Sequence, residues 1–388
     1  MAKLIEITGK ALSGEWGTDD ETGDGILVLR TTNFTNEGVV DYRNVVTRTI
    51  TKKKIEEKYL RKGDIIIEKS GGSDKQPVGR VIFFDGPEQT YLFNNFTGLL
   101  RVKDQTTWYP RYVFYSMYSN YRRGGTRAFE NKTTGLHNLK TDDYVSRYEV
   151  SETSMENQME ICERLDRLYG IIKMRQQELQ KLDELIKARF VELFGTLDNP
   201  TRDFDRQVLK DLCNKITDGK HGGCTTEEGT ERYFVGAREI YDDMIHYDTA
   251  PEIKVDEFEK DYKRCNIEKG DFLIVNTGAT IGKSSIAVDD RTEHTLLQKS
   301  VALLKVKPEL LDSVFLKWCY RVNTKMYMVE SASAQPNLLL SKINATVIYV
   351  PPIDMQKEFR LFAEQVDKSK VVVQYQKEFK GYRHLNIE

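Results

Sequence analysis

From about Ser151 to about Phe194 the chain carries its longest regular alternation of apolar and polar positions. Ile161, Leu165, Leu168, Ile172, Leu179, Leu182, Ile186 and Leu193 follow one another at steps of three, four or seven residues, and Arg175 and Arg189 occupy the two skipped places. Steps averaging 3.5 residues keep one stripe of an α-helix facing one partner helix. Gly170 is the sole glycine in the stretch, and no proline interrupts it. At ~1.5 Å per residue such a helix reaches roughly 60 Å, longer than most helices of globular proteins. The pattern predicts a rigid spacer that needs a helical partner.

On either side of this helix the pattern turns strand-like. Gly25 to Arg30 is a short apolar run ending in polar residues. Leu60-Arg61-Lys62-Gly63-Asp64 launches Ile65-Ile66-Ile67-Glu68-Lys69, which leads into Ser70-Gly71-Gly72-Ser73 and resumes at Val78-Gly79-Arg80-Val81-Ile82. A Gly-Asp turn feeding a β-branched run predicts a strand, and the glycine-rich stretch predicts the tip of a β-hairpin. The same order returns later. Tyr233 to Arg238 echoes the first run, Lys269-Gly270-Asp271-Phe272-Leu273-Ile274 the second, Thr277-Gly278-Ala279-Thr280 the tip, and Ile281-Gly282-Lys283 its exit. Gly63 and Gly270 are 207 residues apart (270 − 63), Gly79 and Gly282 are 203 apart (282 − 79), and Gln158 and Gln356 are 198 apart (356 − 158). Register that drifts only where loops lie marks a duplicated domain.

The repeat includes the helix. Val350-Pro351-Pro352-Ile353 opens a second helical stretch with Phe359, Phe362, Val366, Val373 and Phe379 on a rough stripe, and proline is tolerated in a helix's first turn. The layout is a strand-rich unit at 1–150, a spacer helix at 151–195, a second unit at 196–350 and a second helix at 351–388. Pairing the helices antiparallel buries both stripes. The expected fold is therefore α+β: two duplicated strand-rich units separated by two long antiparallel coiled-coil helices, with approximate two-fold symmetry. Helix pairing falls to Ile161, Leu165, Leu168, Ile172, Leu179, Leu182 and Ile186 on one side, and to Phe359, Phe362, Val366 and Val373 on the other.

Composition narrows what such an object does. The 388 residues are 30% charged and 39% hydrophobic, with a formal net charge of -2. A freestanding non-specific nucleic-acid binder carries an excess of Lys and Arg, so that class is disfavoured. No run approaches the roughly 18 apolar residues of a membrane span, and the start lacks an apolar signal core, so a cytoplasmic location is expected. The five cysteines contain no C-x-x-C pair. Cys213, His221 and Cys224 lie near one another, but a fourth ligand at zinc spacing is missing, and no metal is expected.

Three chemical motifs fail on inspection. Gly278 to Ser284 resembles a phosphate-binding loop but has three residues between its glycines instead of four, in a hairpin setting. Val350-Pro351-Pro352-Ile353 and Asn199-Pro200-Thr201 each lack part of the Asn/Asp-Pro-Pro-aromatic set of an amino-methyltransferase, and no dinucleotide-type fold is apparent. The five histidines form no nucleophile–base arrangement. No catalytic residue is assigned.

The duplicated Gly-Asp-Ile-Ile-Ile…Ser-Gly-Gly-Ser and Gly-Asp-Phe-Leu-Ile…Thr-Gly-Ala-Thr-Ile-Gly-Lys stretches, Ala334-Gln335-Pro336-Asn337-Leu338, Pro351-Pro352-Ile353-Asp354-Met355-Gln356, and Arg189 to Gly195 closing the first helix resemble the specificity subunit of type I restriction–modification systems over essentially the whole chain. That resemblance implies two target-recognition domains, each reading one half of a split site in double-stranded DNA, with the helices setting the gap. It implies two methyltransferase subunits carrying the S-adenosylmethionine chemistry and two motor–nuclease subunits using ATP with Mg, with no cofactor in this chain. Partners that neutralise phosphates would reconcile a DNA reader with a net charge of -2. The first half has Gly135-Leu136-His137-Asn138-Leu139 where the second has Gln335-Pro336-Asn337-Leu338, and the C-terminal helix looks short.

Base reading needs donors and acceptors on exposed loops held by a scaffold. The candidates are Lys69, Ser70, Gly71, Gly72, Ser73, Lys75 and Arg80 in the first tip, and Asn276, Thr277, Gly278, Ala279, Thr280 and Lys283 in the second. Arg30, Asn33 and Arg238 at strand ends are further candidates. Tyr121-Arg122-Arg123-Gly124-Gly125-Thr126-Arg127 is the most basic loop, and phosphate contacts are expected from Arg122, Arg123 and Arg127. Two other classes compete: a fused restriction enzyme subunit with its own catalysis, and a coiled-coil protein-interaction scaffold.

Overall fold

The structure, a computed structural model, describes residues 1–51, 55–74, 76–133, 136–328 and 337–383, with side chains excepted at 132–136 and beyond 370. It is α+β and divides into two compact units, Met1–Ile171 and Ile172–Glu388. The cut falls inside the central helix, Met155–Phe194. The start of that helix packs with the first unit.

Each unit is built on a four-stranded antiparallel sheet of the same order. In the first unit this is Leu12–Ser13, Thr97–Leu100, Ile65–Glu68, Val81–Phe83; in the second it is Cys213–Asp218, Val301–Val306, Phe272–Val275, Ser284–Ile286. The apolar runs after each Gly-Asp turn are buried on both faces, and the period of two sorts their side chains. Ile65 and Ile67 join Val113, Phe114 and Met117 of the helix Pro110–Arg122, while Ile66 joins Leu29, Phe84 and Phe93. In the second unit Phe272 and Ile274 join Phe315 and Leu316 of the helix Ser313–Val322, while Leu273 and Val275 join Val235, Ile267 and Leu297.

The Gly-Asp turn is the same object twice. Gly63 and Gly270 have φ of +91° and +96°, the left-handed region that glycine enters without a Cβ penalty. The next carboxylate accepts the backbone N–H three residues back, Arg61 to Asp64 and Glu268 to Asp271, each at 2.8 Å. Asp64 is then paired with Arg101, and Asp271 with Lys305, each at 2.7 Å. A parallel pair also recurs: Ile26–Leu29 beside Tyr91–Phe93, and Tyr233–Val235 beside Thr295–Leu297.

Within the first unit the central helix turns Gln158, Cys162, Leu165 and Tyr169 toward the domain. Tyr169 stacks on Tyr115 with ring centroids 5.9 Å apart, and Arg111 meets Asp166 at 2.6 Å. This line shares Leu165 with the heptad seam, and the seam's Ile161, Leu165 and Leu168 are half-buried while Gln158 and Cys162 are buried.

Within the second unit the C-terminal helix, Ile353–Arg383, runs antiparallel to the end of the central helix. Asp183 meets Lys370 at 2.6 Å and Arg189 meets Glu358 at 3.6 Å, so one number rises as the other falls, and the rings of Phe190 and Phe359 lie 5.2 Å apart. The buried residues here are Ile186, Phe190 and Phe194 against Phe359, Ala363 and Val366. Ile186 lies on the heptad seam and Phe190 lies off it. Leu179, Leu182 and Phe362 are half-buried, and the Val373 side chain lies outside the described residues. Burial of rings of this size stabilises by about 1.5–3 kcal/mol each.

Candidate nucleic-acid interface

The stretch Ser70–Gly72 is not a free tip. It is a strand that pairs with Leu136–Leu139, in a sheet with Glu130–Thr133. Leu139 N–H donates to the Lys69 carbonyl at 2.8 Å, and Asn138 lies opposite Ser70. The second unit repeats this at its own tip: Leu338 N–H donates to the Asn276 carbonyl at 2.7 Å, and Thr277 bridges Asn337. The glycine-rich composition reads locally as a turn, while the pairing partner lies more than sixty residues downstream.

The sequence candidates separate into two kinds. Some are held inside the unit. Asn33 is buried; its Oδ1 accepts Arg30 N–H at 2.9 Å and its Nδ2 donates to the Asp41 carbonyl at 2.9 Å. Arg80 donates to the carbonyls of Phe34 and Thr31 at 2.9 Å each and pairs with buried Glu68 at 3.2 Å. Both hold the 30–41 segment from within the unit, Asn33 buried and Arg80 half-buried. Gly72 and Asn276 are likewise buried. Lys69 Nζ donates to Ser13 Oγ at 3.0 Å, and partial burial lowers its pKa. Burial raises the Glu68 carboxyl, against the opposing pull of Arg80.

The others reach the surface. Gly71, Ser73, Arg122, Arg123, Arg127, Arg238, Ala279 and Lys283 are exposed, and Arg30, Ser70, Thr277, Gly278 and Thr280 are half-buried. Lys75 lies outside the described residues. Arg30 donates to the Asn44 carbonyl at 3.1 Å and lines a cleft of 520 Å³ with Thr32, Asp41 and Asn44.

The first tip and the basic loop form one surface. Gln76 Nε2 donates to Tyr121 Oη and to Asn36 Oδ1, both at 3.3 Å, and Arg127 donates to the Asp74 carbonyl at 3.2 Å. Arg122, Arg123 and Arg127 thereby rim a 430 Å³ cleft with Asn36, Gln76 and Pro77. Three guanidinium groups beside amide donors and acceptors suit a phosphate backbone with base edges next to it. In the second unit Ile281, Gly282 and Lys283 line a 360 Å³ cleft with Tyr241, Asp242 and Tyr327. Of its two acidic members, Asp243 is paired with Lys317 at 2.9 Å and Arg321 at 2.7 Å.

One repeated element escaped the sequence reading. At Gly14 and Gly219 an added Cβ would run into the backbone carbonyls of Phe93 and Asn94, and of Leu297. Each glycine lets the loop before the parallel strand pair lie against it; Glu15 N–H donates to the Phe93 carbonyl and Lys220 N–H to that of Leu297. The flanking ion pair is inverted between copies, Glu15 with Lys58 and Lys220 with Asp261. The available signal was a glycine at offset 205 (219 − 14). Among the described residues no group of three His, Cys, Asp or Glu side chains is placed to hold a metal ion, and no helix is long and apolar enough to cross a membrane.

A family model described as the type I restriction modification DNA specificity domain matches residues 5–184 and again 202–376. No curated relative matches the chain in sequence. Among solved structures, the type I restriction–modification system S subunit from M. genitalium is similar at a TM-score of 0.52 and 16% identity, over 97% of this chain and 91% of that one. A chain from a structure concerned with complex assembly and conformational transition of the type I R-M system is similar at 0.51 and 14%, over 98% and 93%. At these identities the likeness is one of fold.

Proposed function

We propose a role from one premise: the chain belongs to the type I restriction–modification DNA specificity family, whose members are non-catalytic DNA-recognition subunits. Each unit reads one half of a bipartite site in double-stranded DNA, and the paired helices set the gap between the halves. The chain directs two methyltransferase subunits, which bring S-adenosylmethionine, and two motor–nuclease subunits, which bring ATP with Mg. It works in the prokaryotic cytoplasm.

The observation that carries this reading is the duplicated hairpin. One backbone ladder appears in both units, and each presents a different surface: Arg122, Arg123 and Arg127 beside Gln76 in the first, and Thr277, Thr280 and Lys283 in the second. A constant scaffold with divergent loops is what two unrelated half-sites demand. In the first unit Gly71, Ser73, the three arginines and the half-buried Ser70 and Arg30 are the contact residues. In the second, Arg238, Gly278 and Ala279 join the tip.

A domain exchange tests it. Residues 1–150 are replaced by the equivalent domain of a related protein, and methylated sites are mapped in the reconstituted complex. One half of the recognised sequence changes and the other half stays. If both halves change, or neither does, the assignment is wrong.

A further inference from the structure

The two glutamines at offset 198 occupy the same structural position. Gln158 and Gln356 are fully buried, in the first turn of the central helix and the first turn of the C-terminal helix. Gln158 Oε1 accepts Tyr109 N–H at 2.9 Å, and its Nε2 donates to the carbonyls of Thr107 and Thr153, each at 2.9 Å. Gln356 Oε1 accepts Asp312 N–H at 2.9 Å, and its Nε2 donates to the carbonyls of Leu310 and Pro351 at 3.0 and 2.8 Å. Tyr109 and Asp312 are the residues that open the helices Pro110–Arg122 and Ser313–Val322. Each amide therefore ties three pieces together: the start of a domain helix, the chain entering a long helix, and that helix's first turn. Both N–H donors of each amide are used and its oxygen accepts one bond, and a buried amide with a fixed set of partners admits one orientation.

We infer that Gln158 and Gln356 are positioning residues: paired joints that fix the angle at which each recognition domain leaves its long helix, and so hold the gap between the two half-sites to one length. This rests on the bipartite reading above. Apolar packing is tolerant of small sliding, because methyl groups have no required direction. Three directed hydrogen bonds are not tolerant, and the molecule places the same three at both joints. Neither glutamine faces solvent, so direct base reading is excluded for them. A loosened joint would let a domain reach half-sites at neighbouring spacings while reading the same bases.

The test uses the complex of the full chain with its methyltransferase subunits. Methylation rates are measured on duplexes carrying both half-sites with the native gap and with the gap changed by one base pair either way. The variants are Gln158→Met, which keeps shape and loses all three hydrogen bonds, and Gln158→Glu, which keeps the acceptor. The expected result is that native-gap preference falls by about tenfold in Gln158→Met, the factor given by ~1.4 kcal/mol of lost orientation, and by less in Gln158→Glu. Discrimination against base changes within either half-site stays at the wild-type level. Unchanged gap preference in both folded variants overturns the inference. So does loss of folding in both, which would make the glutamine an ordinary core group. A wild-type complex indifferent to the gap would instead overturn the bipartite reading.

Discussion

The two hairpins share a backbone and differ in what hangs from it. In the first, Glu68 N–H donates to the Arg80 carbonyl at 2.8 Å; in the second, Val275 N–H donates to the Lys283 carbonyl at 2.8 Å. At these matched positions the first unit has a buried carboxylate gripped by a guanidinium that also holds two carbonyls of the 31–34 turn. The second has a fully buried valine and an exposed lysine. A cation at one repeat position is thus a brace in one copy and a surface charge in the other. Repeat position predicts the backbone; burial decides the role.

The long helices show the same asymmetry. Phe359 in the second unit sits at 0% exposure among Phe190, Phe194 and Trp318. Its repeat partner in the first unit, at offset 198 (359 − 161), is half-buried Ile161. Removing a buried phenyl ring costs roughly 3–5 kcal/mol, since a cavity replaces most of its contacts. Phe359→Ala should cost that much in the urea unfolding of the full chain, and Ile161→Ala about 1 kcal/mol, in keeping with partial burial. Equal losses would erase the contrast.

Arg80→Ala probes the brace. It leaves Glu68 buried without its cation, and breaking a buried pair on one side costs about 3 kcal/mol. Burial already holds the Glu68 carboxyl above its ordinary 4.5, and losing the guanidinium raises it further. A raised acid pKa means the folded state binds a proton that the unfolded chain has released. The penalty is therefore absent below the ordinary value, accrues as pH rises through the window up to the raised one, and is complete above it. Thermal unfolding of the variant and wild type across that window should show the gap in Tm opening as pH rises. A gap that does not vary with pH would mean that lost packing, not the stranded carboxylate, dominates.

Much of this was legible in the sequence, and the limits are physical. Gly63 with Gly270, Gln158 with Gln356, and the strand runs after each Gly-Asp turn stand out because each rests on local conformation or on an offset that loops cannot blur. The pairing of Ser70–Gly72 with Leu136–Leu139 was not legible because it is set by residues far along the chain. Phe190 was passed over because a strict 3.5 seam selects Ile186 and Leu193, while the domain core draws in Ile186, Phe190 and Phe194 at helical spacing of four. The partners of Asn33 and Arg80 were not legible because composition does not disclose that Glu68 and the 31–41 carbonyls are there to receive them.

The smallest expected effect separates the two cations most cleanly. Lys283 is exposed, and substitutions at such positions change stability by less than about 0.5 kcal/mol. Lys283→Ala should leave unfolding unchanged and weaken specific DNA binding in the methyltransferase complex. Each phosphate contact adds roughly 0.9 to the slope of log affinity against log salt. One lost contact should therefore lower the magnitude of that slope by about 1, with no change in the bases preferred. Arg80→Ala, by contrast, should alter stability first, with the salt slope of the folded fraction unchanged. If Lys283→Ala instead relaxes the preference at one base pair and leaves the slope alone, Lys283 reads a base edge. The second tip then enters the groove rather than riding on the backbone.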